Sequence, residues 1–189
     1  MKTQVKFFIM ILPIVLYGDP VLRKSCMEIE RHFDGLSQLI ADLYETMYNA
    51  KGVGLAAPQV GISLRLFVID PSNFEDDEDH TFEKVALKKA KRVFINPKII
   101  EETGKGKVFR EGCLSIPGIR EEVTRKTSVK IEYRNEQFDL VTEEFNDLPA
   151  RIILHEFDHI NGILFVDRIN PLKKQLLKRK LNDISKGIV

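Results

Sequence analysis

Cysteine is scarce in this chain: 189 residues contain only Cys26 and Cys113. Two thiols exclude a disulfide scaffold and fit a reducing compartment. A Cys26–Cys113 bridge is the one pairing they allow, and nothing in the sequence favours it. Net charge is equally slight, because 29 Lys+Arg against 28 Asp+Glu leave +1. Global charge therefore gives no argument for binding DNA or a membrane surface. Long apolar runs are missing too. Residues 5–16 (VKFFIMILPIVL) come closest, but Lys6 and Pro13 interrupt them and Leu16-Tyr17-Gly18 lacks a small-residue cleavage pattern. The stretch is too short to span a bilayer and reads as an apolar segment packed on the domain. Met10 is a candidate internal start, which would make residues 1–9 an N-terminal extension. There is no internal repeat and no low-complexity tract.

What is present suits a single domain over residues 1–189, long enough to bury a core without metal or disulfides. A metal, if bound, is then free to be catalytic. Leu36, Leu39, Ile40, Leu43 and Met47 recur at helical spacing, which predicts an amphipathic helix over 34–50 with Asp34 as N-cap, ending at Gly52. Residues 64–70 (LRLFVID) read as a strand. Residues 72–92 pass from an acidic run (EDDED) to a basic one and read as a charged, solvated insertion, with a short helix at 82–90. Four further short β-favouring runs follow at 93–100, 107–111, 128–133 and 138–145, the last two forming a hairpin. A helix then starts at Asn146 or Asp147, with Pro149 in its first turn. The last element, residues 171–188, carries Leu177, Leu181, Ile184 and Ile188 on one stripe, and from 173 to 186 it has six Lys/Arg against the single Asp183. The expected fold is α+β: short antiparallel strands packed around one buried central helix, with an amphipathic C-terminal helix.

That central helix contains Leu154-His155-Glu156-Phe157-Asp158-His159. Its two histidines lie four residues apart, one turn along the same face as Leu148 and Ile152, and can close on one metal ion. A catalytic site of this type usually takes three protein ligands and leaves one position open. The third ligand is not supplied downstream. Where a metzincin would have its third histidine stands Phe165, and residues 160–189 contain no glutamate, which a gluzincin-type peptidase would need. Upstream, His80 lies in the charged insertion, and His32 and Cys26 have no surrounding signal. Cys113, in Glu111-Gly112-Cys113-Leu114-Ser115 directly after a strand, is the best candidate on position.

Gly52-Val53-Gly54-Leu55-Ala56-Ala57-Pro58-Gln59, EGCLS at 111–115 and HEFDH at 155–159, in this order, resemble the three signature motifs of bacterial peptide deformylases. Each motif alone is modest evidence; together, with both ends of the chain also similar in pattern, they cover nearly the whole domain, and the main departures are the N-terminal extension and the 72–92 insertion. The resemblance implies a metal held by Cys113, His155 and His159 with water in the fourth position, and Fe2+ as the physiological ion, with Zn2+ or Ni2+ as substitutes in purified protein. It implies Glu156 as general base, and Gln59 with the backbone N–H of Leu114 as donors to the oxyanion. The implied substrate is the N-formylmethionyl end of a nascent polypeptide. Val53 and Ile152 would line the methionine pocket, Gly54 would let the backbone approach the peptide closely, Gly112 would belong to the substrate-binding residues, and Arg120 would contact the peptide chain. It implies a cytoplasmic enzyme releasing formate, and the basic C-terminal helix is a candidate for docking on the ribosome near the exit tunnel. Two rivals share these residues: an HExxH zinc metallopeptidase, and a non-catalytic metal-binding domain.

Overall fold

The computed structural model describes residues 9–74, 87 and 89–188. The 1–9 extension, His80 and the short helix at 82–90 therefore fall wholly or mostly outside the described residues, as does most of the 72–92 insertion. Within them, a five-stranded antiparallel sheet is wound in simple chain order: β1 (Gly54–Ala56), β2 (Leu66–Ile69), β3 (Arg92–Cys113), β4 (Ile116–Arg134) and β5 (Leu140–Asn146). Three helices accompany it: α1 (Leu36–Asn49), α2 (Asp147–Ile160) and α3 (Pro171–Ser185). The α+β class and the buried central helix agree with the expectation from sequence.

The strand bounds differ from that expectation. The runs at 93–100 and 107–111 are parts of one strand, β3, of 22 residues, and β4 extends for 19. Between them lie polar stretches such as Glu101-Glu102-Thr103-Gly104-Lys105-Gly106, whose sequence carries no alternation. The register shifts at four places, including Thr103/Gly106 and Gly112/Cys113. Such bulges disrupt the period of two on which strand recognition depends.

Helix α2 is buried all round: from Leu148 to Ile160 only Phe157 is partly exposed. Its apolar residues pack on the sheet through Ile153, Phe67, Phe94 and Ile131, where Phe94 stacks on Phe67 at 4.6 Å and meets Tyr133 at 4.5 Å between ring centroids. A second cluster joins α1 to β1 and β2 through Leu43, Met47, Leu55 and Leu66. A third holds α3 by Leu181 and Ile184 against Ile116, Ile119 and Phe165. Burying apolar side chains of this size stabilises by roughly 1.5–3 kcal/mol each before ordering costs.

Local details correct two expectations. The N-cap of α1 is Gly35, in the left-handed region at φ 83 with no side-chain cap bond, so Asp34 does not cap it. Ile188 does not join the buried stripe, since α3 ends at Ser185 and Ile188 is exposed. The apolar N-terminal segment, as far as described, lies across α1. Met10 N–H donates to Asp42 Oδ1 and Leu12 N–H to Thr46 Oγ1, each at 2.8 Å. Val15 N–H donates to Gln59 O and Tyr17 N–H to Ser115 O, also at 2.8 Å. The segment thus ties together two loops that carry the site. Both cysteines are free thiols.

Candidate metal centre and active-site cleft

Three elements deliver the site. The β3–β4 hairpin turns through Leu114 and Ser115, with Cys113 paired to Ile116, so the thiol sits at the tip of a rigid ribbon. Helix α2 presents His155 and His159 with ring centroids 5.0 Å apart. The 3-10 turn Ala57–Val60, following β1, carries Gln59. The donor atoms of Cys113, His155 and His159 all lie within 4.8 Å of one another, and theirs is the one such group among the described residues. Cys113 Sγ is 3.2 Å from His159 Nε2.

The Gln59 amide is oriented from behind: Ala56 N–H donates to its Oε1 at 2.8 Å, which leaves Nε2 to donate toward Cys113 Sγ at 3.5 Å and Ser115 Oγ at 3.4 Å. His155 is oriented through its far nitrogen, whose Nδ1 lies 3.0 Å from Glu111 Oε2. Glu111 is held by Arg125 through two bonds of 2.7 and 3.0 Å and by Arg151 at 2.6 Å. Arg125 also donates to Asp158 Oδ2 at 2.8 Å. Burial alone would raise the Glu111 carboxyl; the hydrogen bond from His155 and the Arg125 guanidinium outweigh it and hold Glu111 far below the usual carboxylate range.

The two histidines are driven apart. Burial works against charge on both, but at His155 the Cys113 thiol and Glu111 overcome it and raise the pKa well above the ordinary value, while at His159 burial and the charge of His155 push it well below. Burial also pushes Glu156 up, to about 7, against the pull of the His155 and Arg125 charges. Glu156 Oε2 and His159 Nδ1 are buried without a hydrogen-bond partner.

These observations fit a metal. One soft sulfur and two imidazole nitrogens converge on one point, a carboxylate fixes one imidazole from the far side, and an unpartnered carboxylate oxygen stands beside them. Soft sulfur with two imidazoles suits zinc, iron or nickel alike.

The centre opens into a cleft of about 1420 Å³. Every site residue named from the sequence except His159 lines it: Val53, Gly54 and Gln59 on one side, Gly112, Cys113, Leu114 and Arg120 on another, Ile152, His155 and Glu156 on the floor. His159 lies behind the cleft, 1% exposed. Sequence reasoning missed Glu111 as a partner of His155, and with it Arg125, Arg151 and Asp158. The signal that could have found them was the charge of these residues inside otherwise apolar or motif-bearing stretches, notably Asp158 between the two histidines.

A buried helix carrying His-Glu-x-x-His, joined by a thiol from a hairpin tip at the floor of an open cleft, defines a metal-dependent hydrolase. A family model described as polypeptide deformylase matches residues 11–175. The chain belongs to the peptide deformylase family. It is 54% identical over 179 residues to the peptide deformylase of Christiangramia forsetii, covering 94% of this chain and 91% of that one. It is 56% identical over 179 residues to that of Flavobacterium johnsoniae, again covering 94% and 91%. Among solved structures, the peptide deformylase of Thermus thermophilus superposes with a TM-score of 0.81 at 38% identity, over 94% of this chain and 99% of that one. The plant peptide deformylase 1B of Arabidopsis thaliana in complex with an inhibitor gives 0.80 at 35% identity, over 93% and 91%.

Proposed function

We propose that Cys113, His155 and His159 hold the metal with which this deformylase removes the N-formyl group from formylmethionyl nascent peptides, and that Glu156 moves the protons. The observation that carries this reading is the convergence of the three donor atoms at the back of a cleft that Cys113, His155 and Glu156 line, with Glu156 Oε2 left without a partner. The ion we assign is Fe2+, on the family resemblance, with Zn2+ or Ni2+ able to replace it. A divalent cation bound there supplies Lewis acidity, lowering the pKa of bound water and polarising the formyl oxygen.

The chain's own groups do the rest. Glu156 accepts a proton from the attacking water as the new C–O bond forms, then gives it to the nitrogen as the C–N bond breaks, leaving formate and a free amine. A carboxyl pushed up to about 7 by burial is suited to both halves of that transfer. Gln59 Nε2 and the backbone N–H of Leu114 donate to the oxygen on which charge develops. Val53 and Ile152 receive the methionine side chain. Gly112 and Arg120 face each other across β3 and β4 and take the peptide backbone beyond it.

The peptidase alternative is not favoured, because the group that could hold the metal includes a thiol and 94% of the chain aligns with a peptide deformylase. We read the chain as one deformylase domain. No described helix is long and apolar enough to cross a membrane, and we place the enzyme in the cytoplasm, where the exposed cations of α3 dock it on the ribosome.

The test is formate release from formyl-Met-Ala-Ser by protein prepared anaerobically with Fe2+, beside Glu156→Ala. Formate from the wild type, with a loss of about 10²–10⁴-fold in the variant at equal metal content, is the expected result. No formate from folded, metal-loaded wild type would remove the reading.

A further inference from the structure

The first motif's second glycine has an open side, and what fills it is not the space of the cleft. A Cβ built on Gly54 would stand 2.5 Å from Glu156 Oε1 and 2.9 Å from both Cδ and Cγ of the same residue, and these are the nearest atoms to it. Real Cβ atoms do not come so close. Gly54 lies in β1, paired with Ile69, and its backbone is outside the left-handed region. Alanine is therefore allowed there by the backbone, and the three atoms nearest its Cβ all belong to Glu156.

We propose that Gly54 is a positioning residue for the base: the missing side chain forms the socket in which the Glu156 carboxylate stands. The contact reaches back to Cγ, so a rotation of the carboxylate alone does not relieve it. To make room, Glu156, which is 4% exposed and lines the cleft, must turn its whole side chain, and that takes the carboxylate from its place. β1 and α2 are thereby keyed to each other at the reacting centre. The first motif reaches the chemistry twice, by Gln59 toward the oxyanion and by Gly54 under the base. This rests on the reading of Glu156 as proton carrier given above. It stands beside the expectation that Gly54, which lines the cleft, serves close approach of the substrate, and the two accounts separate in kinetics.

The experiment compares Gly54→Ala, Glu156→Ala and the double variant, each Fe2+-loaded, by thermal unfolding, metal content and steady-state deformylation. A displaced base lowers kcat by about tenfold or more while KM for formyl-Met-Ala-Ser stays within about threefold. A substrate clash would instead raise KM and leave kcat. In unfolding, Gly54→Ala lowers Tm in the Glu156 background and has no effect in the Glu156→Ala background, because the colliding atoms are gone. That second result needs no activity at all. An equal Tm loss in both backgrounds, or a change confined to KM, overturns the socket. Full activity in Glu156→Ala overturns the base assignment itself, whatever Gly54→Ala does.

Discussion

Glu111 Oε2 stands 3.0 Å from His155 Nδ1, and the same carboxylate is gripped by two buried guanidinium groups, Arg125 and Arg151. This fixes which imidazole nitrogen of His155 faces the cleft and makes it a better donor to a metal. Replacing Glu111 with Gln keeps the shape but removes the charge. The expected outcome is a loss of about 10–100-fold in metal affinity, read by chelator competition. Arg151, left without its anion, and Arg125, left with Asp158 alone, should also cost about 3–5 kcal/mol of stability, read by urea unfolding.

Acid should act through the same residue. The folded pKa of Glu111 is depressed, so its stabilisation is complete above the unfolded value of about 4.3 and is lost as pH falls below that toward the folded value. Unfolding free energy, flat in this respect above about pH 5, should drop with one linked proton, about 1.4 kcal/mol per pH unit. Asp167, held at about 2 against burial by Arg23 and Lys174, adds a smaller loss in the same direction because it is partly exposed. Urea unfolding from pH 6 to 3 checks this: Glu111→Gln should flatten the slope, and an unchanged slope would count against the ion-pair cluster as its source.

The contrast between what could and could not be read from the sequence follows from locality. His155 and His159 are four residues apart on a helix, so their shared face is a property of one segment. Cys113 emerged by elimination because so few ligands exist in the chain. Glu111 could not be found this way, since its partners Arg125, Arg151 and His155 lie 14, 40 and 44 residues away and a charged residue in a strand looks like a solvated face until its neighbours are known. Gly54 was legible as a glycine that needed a reason, but the reason stands on another element. The β3–β4 ribbon is legible only as the fragments 93–100, 107–111 and 128–133, because polar stretches and repeated bulges break its period; residues 116–127 of β4, with the buried Ile116, Ile119 and Val123, carry no strand signal through Pro117, Gly118 and the charged run after them.

Gln59 is 1% exposed and its amide is fixed by Ala56, so its donor cannot turn away from the centre. In the proposed role of oxyanion donor it would act only as charge develops. Gln59→Ala should therefore lower kcat by about 10²–10³-fold with KM nearly unchanged. It should also cost about 1–3 kcal/mol of stability, because the buried Ala56 N–H loses its acceptor. Stopped-time formate assays beside thermal unfolding separate the two effects; a stability loss with kcat intact would leave Gln59 as a structural residue only.

The cations of α3 are not equivalent. Lys173 bonds to Glu122 and lies 3.4 Å from Glu121, Lys174 bonds to Asp167, and Lys180 donates to Gly118 O. Those three are used in holding α3 against β4 and the turn before the helix. Lys178, Arg179 and Lys186 are exposed and form no such bond among the described residues, so they are the side chains free to meet phosphates. If α3 docks on ribosomal RNA, replacing Lys178, Arg179 and Lys186 with Gln should weaken ribosome co-sedimentation. The salt dependence should fall by about one unit of log–log slope for each phosphate no longer neutralised. Formate release from a short free peptide should stay at the wild-type rate, because none of the three lines the cleft. Replacing Lys173, Lys174 and Lys180 instead should lower stability. Equal ribosome binding by the first triple variant and the wild type, at low salt, would mean that α3 is only an amphipathic brace.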